Sequence, residues 1–168
     1  LRQFLHVAIT HRLGPAIWLA AMTGMRRGEV LGLRWSDIDL DAATLSIRRS
    51  VSCTGYQVHT TPTKTRTSRR AIDLDQRTVA VLRDWQHHQL AELGTVTAEQ
   101  AVFTRPDGQP LHPHTLSQTV DRLQRAAGVP PIRLHDLRHT HATLMLKHGI
   151  PLKVISERLG HSTPAFTR

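Results

Sequence analysis

Three short segments of this 168-residue sequence carry side chains that could do chemistry on a phosphate. The first is Leu134-His135-Asp136-Leu137-Arg138-His139-Thr140-His141. A helix there would place His135, Arg138 and Ala142 on one face, because residues three, four and seven apart line up. An imidazole and a guanidinium one turn apart can both donate to a single phosphate. The stretch also has a metal reading, since His135 and His139 stand at i, i+4 as in zinc-binding helices. That reading lacks the Glu beside the first His, where Asp136 stands, and no third ligand is evident. In the plainest reading these imidazoles satisfy backbone groups near helix ends.

The second segment is Thr23-Gly24-Met25-Arg26-Arg27-Gly28-Glu29-Val30. Neighbouring side chains on a helix diverge, so only one of Arg26 and Arg27 can face a given pocket. Glu29, three residues after Arg26, is placed to orient that guanidinium, although an exposed pair of this kind contributes little. The third is Lys64, in a basic loop with Arg66, Arg69 and Arg70. A single Lys amid Arg fits a role that needs a titratable ammonium, such as proton donation. A solvated loop lying on a nucleic-acid backbone accounts for it equally well.

The elements around these segments read mostly as helices. Leu1 to His11 is helical up to a break at Gly14-Pro15, and Ala16 to Val30 has helical apolar spacing interrupted at Thr23-Gly24. Thr44 to Val51 alternates like a strand, with shorter strands at Tyr56–His59 and Arg70–Leu74, so one small sheet is expected near residues 44–74. A long helix runs from Asp75, capped there or at Asp73, to Leu93 and stops at Gly94. Its apolar side is read as Val79, Leu82, Gln86, Leu90 and Leu93. Further helices follow over His114–Ala127, His135–His148 and Pro151–Leu159. With no repeat or linker, the chain reads as one domain over 1–168.

Composition narrows the partner. Lys and Arg total 22 against 13 acids, a formal charge of +9, and nineteen of those cations are Arg. The planar fork of Arg grips phosphate at two points, which makes a polyanion the first expectation, unless the bias toward Arg is genomic. Seven aromatic residues are too few for a single-strand stacking platform, so duplex is favoured. The longest apolar run, Ala16 to Met22, is far short of a membrane span. No secretory leader is visible, and a lone Cys53 cannot form an internal disulfide, which predicts a cytoplasmic setting.

Taken together, the segments resemble the catalytic domain of the tyrosine recombinases, the phage integrase family. The resemblance rests on Thr23 to Ile38, on Thr63-Lys64-Thr65, on His135-Asp136-Leu137-Arg138-His139-Thr140 and on Leu159-Gly160-His161-Ser162, and covers nearly the whole chain. It implies a mainly α fold with a small antiparallel sheet. It makes Arg26 the first catalytic arginine, with Arg27 as its less favoured neighbour, and Glu29 the supporting acid. Lys64 becomes the lysine that protonates the departing 5′-hydroxyl, His135 and Arg138 the His-x-x-Arg pair, and His161 the final His/Trp position. Arg66, Arg69 and Arg70 are expected on the DNA.

The resemblance further implies double-stranded attachment sites as partners, a homotetramer of the whole protein, and no cofactor or metal. A core-binding domain is expected ahead of Leu1, and the nucleophilic tyrosine about nine or ten residues past His161, at about position 170 or 171. The 168 residues are therefore expected to bind DNA weakly and not to cleave it alone. Tyr56, the one tyrosine present, is expected to be structural. Gly149 to Gly160 looks like the front of a helix-turn-helix unit, a lesser reading. Two alternatives share the fold: a non-catalytic DNA-binding protein and a type IB topoisomerase-like enzyme.

Overall fold

The computed structural model describes residues 1–63 and 69–160, and it is mainly helical with small antiparallel sheets. The chain opens with α1 (Arg2–Ala8), α2 (Gly14–Thr23) and α3 (Arg27–Leu31). Five strands follow, β1 (Ile38–Asp39), β2 (Thr44–Ile47), β3 (Arg49–Thr54), β4 (Gln57–Pro62) and β5 (Arg70–Asp73). Among the described residues four helices follow: α4 (Gln76–Leu93), α5 (Pro113–Ala127), α6 (Leu134–Lys147) and α7 (Leu152–Leu159).

The core is built around α2, which is apolar on every side and nearly all buried. Pro15 suits its first turn, where the missing N–H has no partner to lose. Gly24 ends it in the left-handed conformation (φ 69°). Helices α1, α4 and α6 pack on it, and α5 lies across α1. The turn between α2 and α3 is what brings Arg26 up against α6 and α7.

Asp75 caps α4 by accepting from the Thr78 amide at 2.9 Å, and Gly94 ends it, as its sequence predicts. The buried face differs from the expected one. It carries Thr78, Leu82, Trp85 and Gln89, while Leu90 is exposed. Two indoles explain the shift. Trp18 Nε1 donates to Thr78 Oγ1 at 3.0 Å and Trp35 Nε1 to Gln89 Oε1 at 2.7 Å, so those two polar residues turn inward.

The single expected sheet is two. Strands β1, β2 and β5 form one antiparallel sheet, with Leu45 opposite Ile72 and Ile47 opposite Arg70. Strands β3 and β4 form a separate hairpin closed by Gly55-Tyr56. The alternation over Thr44–Val51 breaks at Arg48, and there Arg48 and Arg49 both reach the buried Asp37 carboxylate. At its base the hairpin lies against α3. Contact is close enough that a methyl group on Gly28 would come within 2.4 Å of the Val51 carbonyl oxygen and 2.5 Å of Ser50 Oγ.

Tyr56 does not have the structural role expected of it. It sits at the hairpin tip and is 99% exposed, packed on nothing in the core. Helix α7 is anchored by Ile155 and Leu159, which pack on Ala142 of α6 in a small second apolar cluster. Among the described residues no helix is long and apolar enough to cross a membrane.

Candidate active site

Arg26 is the residue that leads into α3, extended itself (φ −70°, ψ 150°) before the helix begins. Glu29, in the first turn, reaches back to it twice. The Arg26 amide donates to Oε2 at 2.8 Å and its NH1 to Oε1 at 3.0 Å. The pair is not the solvated one that spacing alone allowed, because the Glu29 side chain is only 3% exposed while Arg26 is 42% exposed. The carboxylate is thus a buried backing and the guanidinium faces outward.

Arg138, one turn into α6, is 3% exposed and held by two backbone carbonyls. Its NH1 donates to Gly24 O and its NH2 to Leu159 O, both at 2.7 Å. Arg26 NH2 donates to the next carbonyl, Gly160 O, at 3.3 Å. The two guanidinia therefore end on adjacent carbonyls, those of the last residue of α7 and its C-cap glycine. Burial, with the Arg26 charge adding to it, brings Arg138 down to about 10, so it stays cationic at neutral pH.

Arg70 departs from expectation. Instead of facing outward toward nucleic acid, its side chain is 7% exposed and pairs with Glu29 through two bonds, at 3.0 and 2.9 Å. Strand alternation contains the signal: Arg70 and Ile72 have the same parity in β5, and Ile72 faces the core. Burial pushes the Glu29 carboxyl up, but the hydrogen bonds and charge of Arg70, with those of Arg26, outweigh it and hold it below the usual carboxylate range. Arg69, by contrast, is exposed.

His135 lies in the first turn of α6, exposed, and meets His139 edge-on at 5.0 Å. Partial burial and the charges of His139, Arg138 and Arg26 keep its pKa below 6.5, so the ring is mostly neutral at pH 7. Among the described residues no group of three or more His, Cys, Asp and Glu side chains gathers as a metal site would need. Lys64, Arg66 and His161 lie outside the described residues.

Arg26 and His135 share the wall of a groove of about 650 Å³ between α3, β3, α5 and α6. Arg27, Arg133 and His114 also line it, and these the sequence reading left without a role or set second. Arg27 is held there by a 2.8 Å bond to Ser117. His141 was missed too. It packs beside Gly24, and burial, with the Arg158 charge, brings it down to about 4. It is a neutral ring packed against the glycine whose carbonyl holds Arg138.

The profile of the phage integrase family matches residues 2–168. The chain belongs to the phage integrase family. A XerC-like tyrosine recombinase of Caldanaerobacter subterraneus is 32% identical over 94% of this chain and 44% of its own length. The ICEBs1 integrase of Bacillus subtilis is 30% identical over 89% of this chain and 41% of its own. The chain thus spans less than half the length of these relatives. Among solved structures, XerA recombinase superposes with a TM-score of 0.80 at 23% identity, over 98% of this chain and 54% of that one. The Tn1549 transposon integrase, in complex with circular intermediate DNA, does so at 0.84 and 19%, over 97% of this chain and 57% of that one. The fold is that of tyrosine recombinase catalytic domains.

Proposed function

We propose that this chain is the catalytic domain of a site-specific DNA recombinase that cuts and rejoins strands through a 3′-phosphotyrosyl ester. The observation that supports it best is the meeting of Arg26 and Arg138 on adjacent carbonyls, backed by a buried carboxylate, at the edge of a cationic groove. A DNA phosphate entering there would meet the outward-facing guanidinium of Arg26, with the buried charge of Arg138 behind it. As a hydroxyl attacks phosphorus, negative charge grows on the non-bridging oxygens, and fixed cations aimed at it lower the barrier. His135 adds hydrogen bonding without adding charge at neutral pH.

In this reading Lys64 gives its proton to the departing 5′-oxygen, and His161 completes the set. The attacking group is a tyrosine that the resemblance places at about position 170 or 171. Tyr56, at the tip of the hairpin, is not that residue. The phosphotyrosyl ester keeps the energy of the broken bond, so resealing by the 5′-hydroxyl calls for no cofactor. The partner is duplex DNA carrying an attachment site, with a homotetramer of the whole protein joining two duplexes. Exposed Arg69, together with Arg66, would touch the backbone beside it.

The test is a nicked suicide substrate, which releases its short 5′-hydroxyl strand and traps the covalent intermediate. The full-length protein should form an adduct through tyrosine with the 3′-phosphate. Absence of any adduct on its own attachment site would refute the reading. Relaxation of supercoils without site preference would point instead to a topoisomerase-like enzyme.

A further inference from the structure

Arg70 is the third cation of the cluster, and it is engaged on two sides. Its NH1 and NH2 straddle the Glu29 carboxylate, while its Nε donates to the Arg158 carbonyl at 2.6 Å. Arg158 answers with its own side chain, NH2 donating to Asp73 O at 3.1 Å, so β5 and α7 are strapped together in both directions. The next two carbonyls along the chain, Leu159 O and Gly160 O, take Arg138 and Arg26. Helix ends leave their last carbonyls without amide partners and carry partial negative charge. Here three successive carbonyls each hold a different arginine.

We propose that Arg70 is a positioning residue for strand cleavage, neutralising Glu29 and pinning the end of α7 so that Arg26 and Arg138 present their full charge to the scissile phosphate. The proposal rests on the recombinase reading. Glu29 has to be ionised to hold Arg26 by both its amide and its NH1. A buried carboxylate at hydrogen-bond distance would also cancel much of the cation it orients, since the interaction is strong where water is excluded. Arg70 on the same carboxylate supplies the compensating charge. The cluster then keeps a net excess of two positive charges, from three guanidinia and one carboxylate. Through Nε the same side chain fixes the carbonyl next to the one that holds Arg138, which ties the spacing of the two outer arginines to β5.

Three forms of the full-length protein test this: wild type, Arg70→Gln, and Arg70→Gln combined with Glu29→Gln. Cleavage of the suicide substrate is measured in single turnover, beside binding to the intact site. Arg70→Gln should slow cleavage by about 10²-fold, the scale expected of a misplaced catalytic group, while the dissociation constant for DNA stays within about threefold. Adding Glu29→Gln removes the stranded charge, while the one amide oxygen of Gln can still accept from the Arg26 backbone N–H as in a capping box, so about tenfold of that loss should be recovered, which a purely structural role would not allow. If Arg70→Gln does not fold, Arg70→Lys carries the same comparison, since an ammonium cannot straddle both carboxylate oxygens and reach the carbonyl.

Cleavage at the wild-type rate in the tested Arg70 variant overturns the proposal. So does a parallel loss of DNA affinity, which would make Arg70 a DNA contact, and so does a double variant without recovery. A wild-type protein that forms no adduct overturns this proposal and the recombinase reading together. A wild-type adduct with a fully active Arg70 variant overturns this proposal alone.

Discussion

Around Gln89 the buried polar groups are neutral and matched one to another, whereas around Glu29 two cations share one carboxylate and a third, Arg138, has only carbonyls. Trp35 donates to Gln89 Oε1 at 2.7 Å, Gln89 donates to Ala101 O and Thr104 Oγ1 at 3.1 Å, and Trp85 donates to Val102 O at 2.6 Å. Nothing more needs to bind there, and the network joins α4 to the segment around residue 102. The Glu29 cluster has helix-end carbonyls in place of counter-charges. Buried cations held by dipoles alone are costly, and that cost falls when an anion arrives. A saturated neutral network shapes the fold; a charged one with fewer anions than cations is what the proposed phosphate site requires.

The comparison breaks first at Arg138. Arg138→Ala should reduce covalent complex formation in the full-length protein by about 10²- to 10³-fold, with DNA binding little changed, as for loss of a fixed charge-stabilising donor. Gel-shift and suicide-substrate assays on the same preparation check it, and normal cleavage would remove Arg138 from the site. Gly24→Ala tests the seam between cluster and fold. A methyl there would come within 2.5 Å of Leu159 and 2.9 Å of His141, in a left-handed conformation. Overpacking of this kind costs about 1–3 kcal/mol, read from denaturant midpoints, and cleavage should fall with it because Gly24 O holds Arg138.

Gln89→Leu should cost about 1–3 kcal/mol of stability by stranding Trp35 Nε1, with cleavage per folded molecule unchanged. A matching loss of cleavage would mean that the two networks are coupled. His141 supplies the pH test. Its folded pKa of about 4 lies below its ordinary 6.5, so the unfolded chain takes up a proton that the folded one refuses. Stability is then complete above pH 6.5 and lost as pH falls toward about 4. His141→Phe should flatten that arm of the curve in a series of thermal melts. Smallest of all, Tyr56→Ala should change stability by less than about 0.5 kcal/mol, since the side chain touches no core.

What could be read from the sequence was whatever depends on near neighbours. Asp75 and Gly94 mark the ends of α4, because capping uses residues within one turn. Arg26 with Glu29, and His135 with Arg138, stand out because three-residue spacing puts them side by side. The phase of α4 was not legible from apolar residues, since Thr78 and Gln89 are drawn inward by tryptophans about sixty residues away. Arg70 finds its carboxylate 41 residues off, with only its parity to Ile72 as a hint. The carbonyls at the end of α7 leave no sequence signal, because every residue has the same backbone acceptor.

The contact at Gly28 has a mechanical consequence. There the backbone of α3 rests on the Val51 carbonyl of β3, with only the short Ser50 hydroxyl beside it to repack. A rotation of the hairpin at its root cannot be absorbed locally, and Arg26 stands two residues before Gly28. The β3–β4 arm is therefore a lever whose fulcrum lies close to Arg26. A push at its tip would arrive at the Arg26 guanidinium as a change in aim.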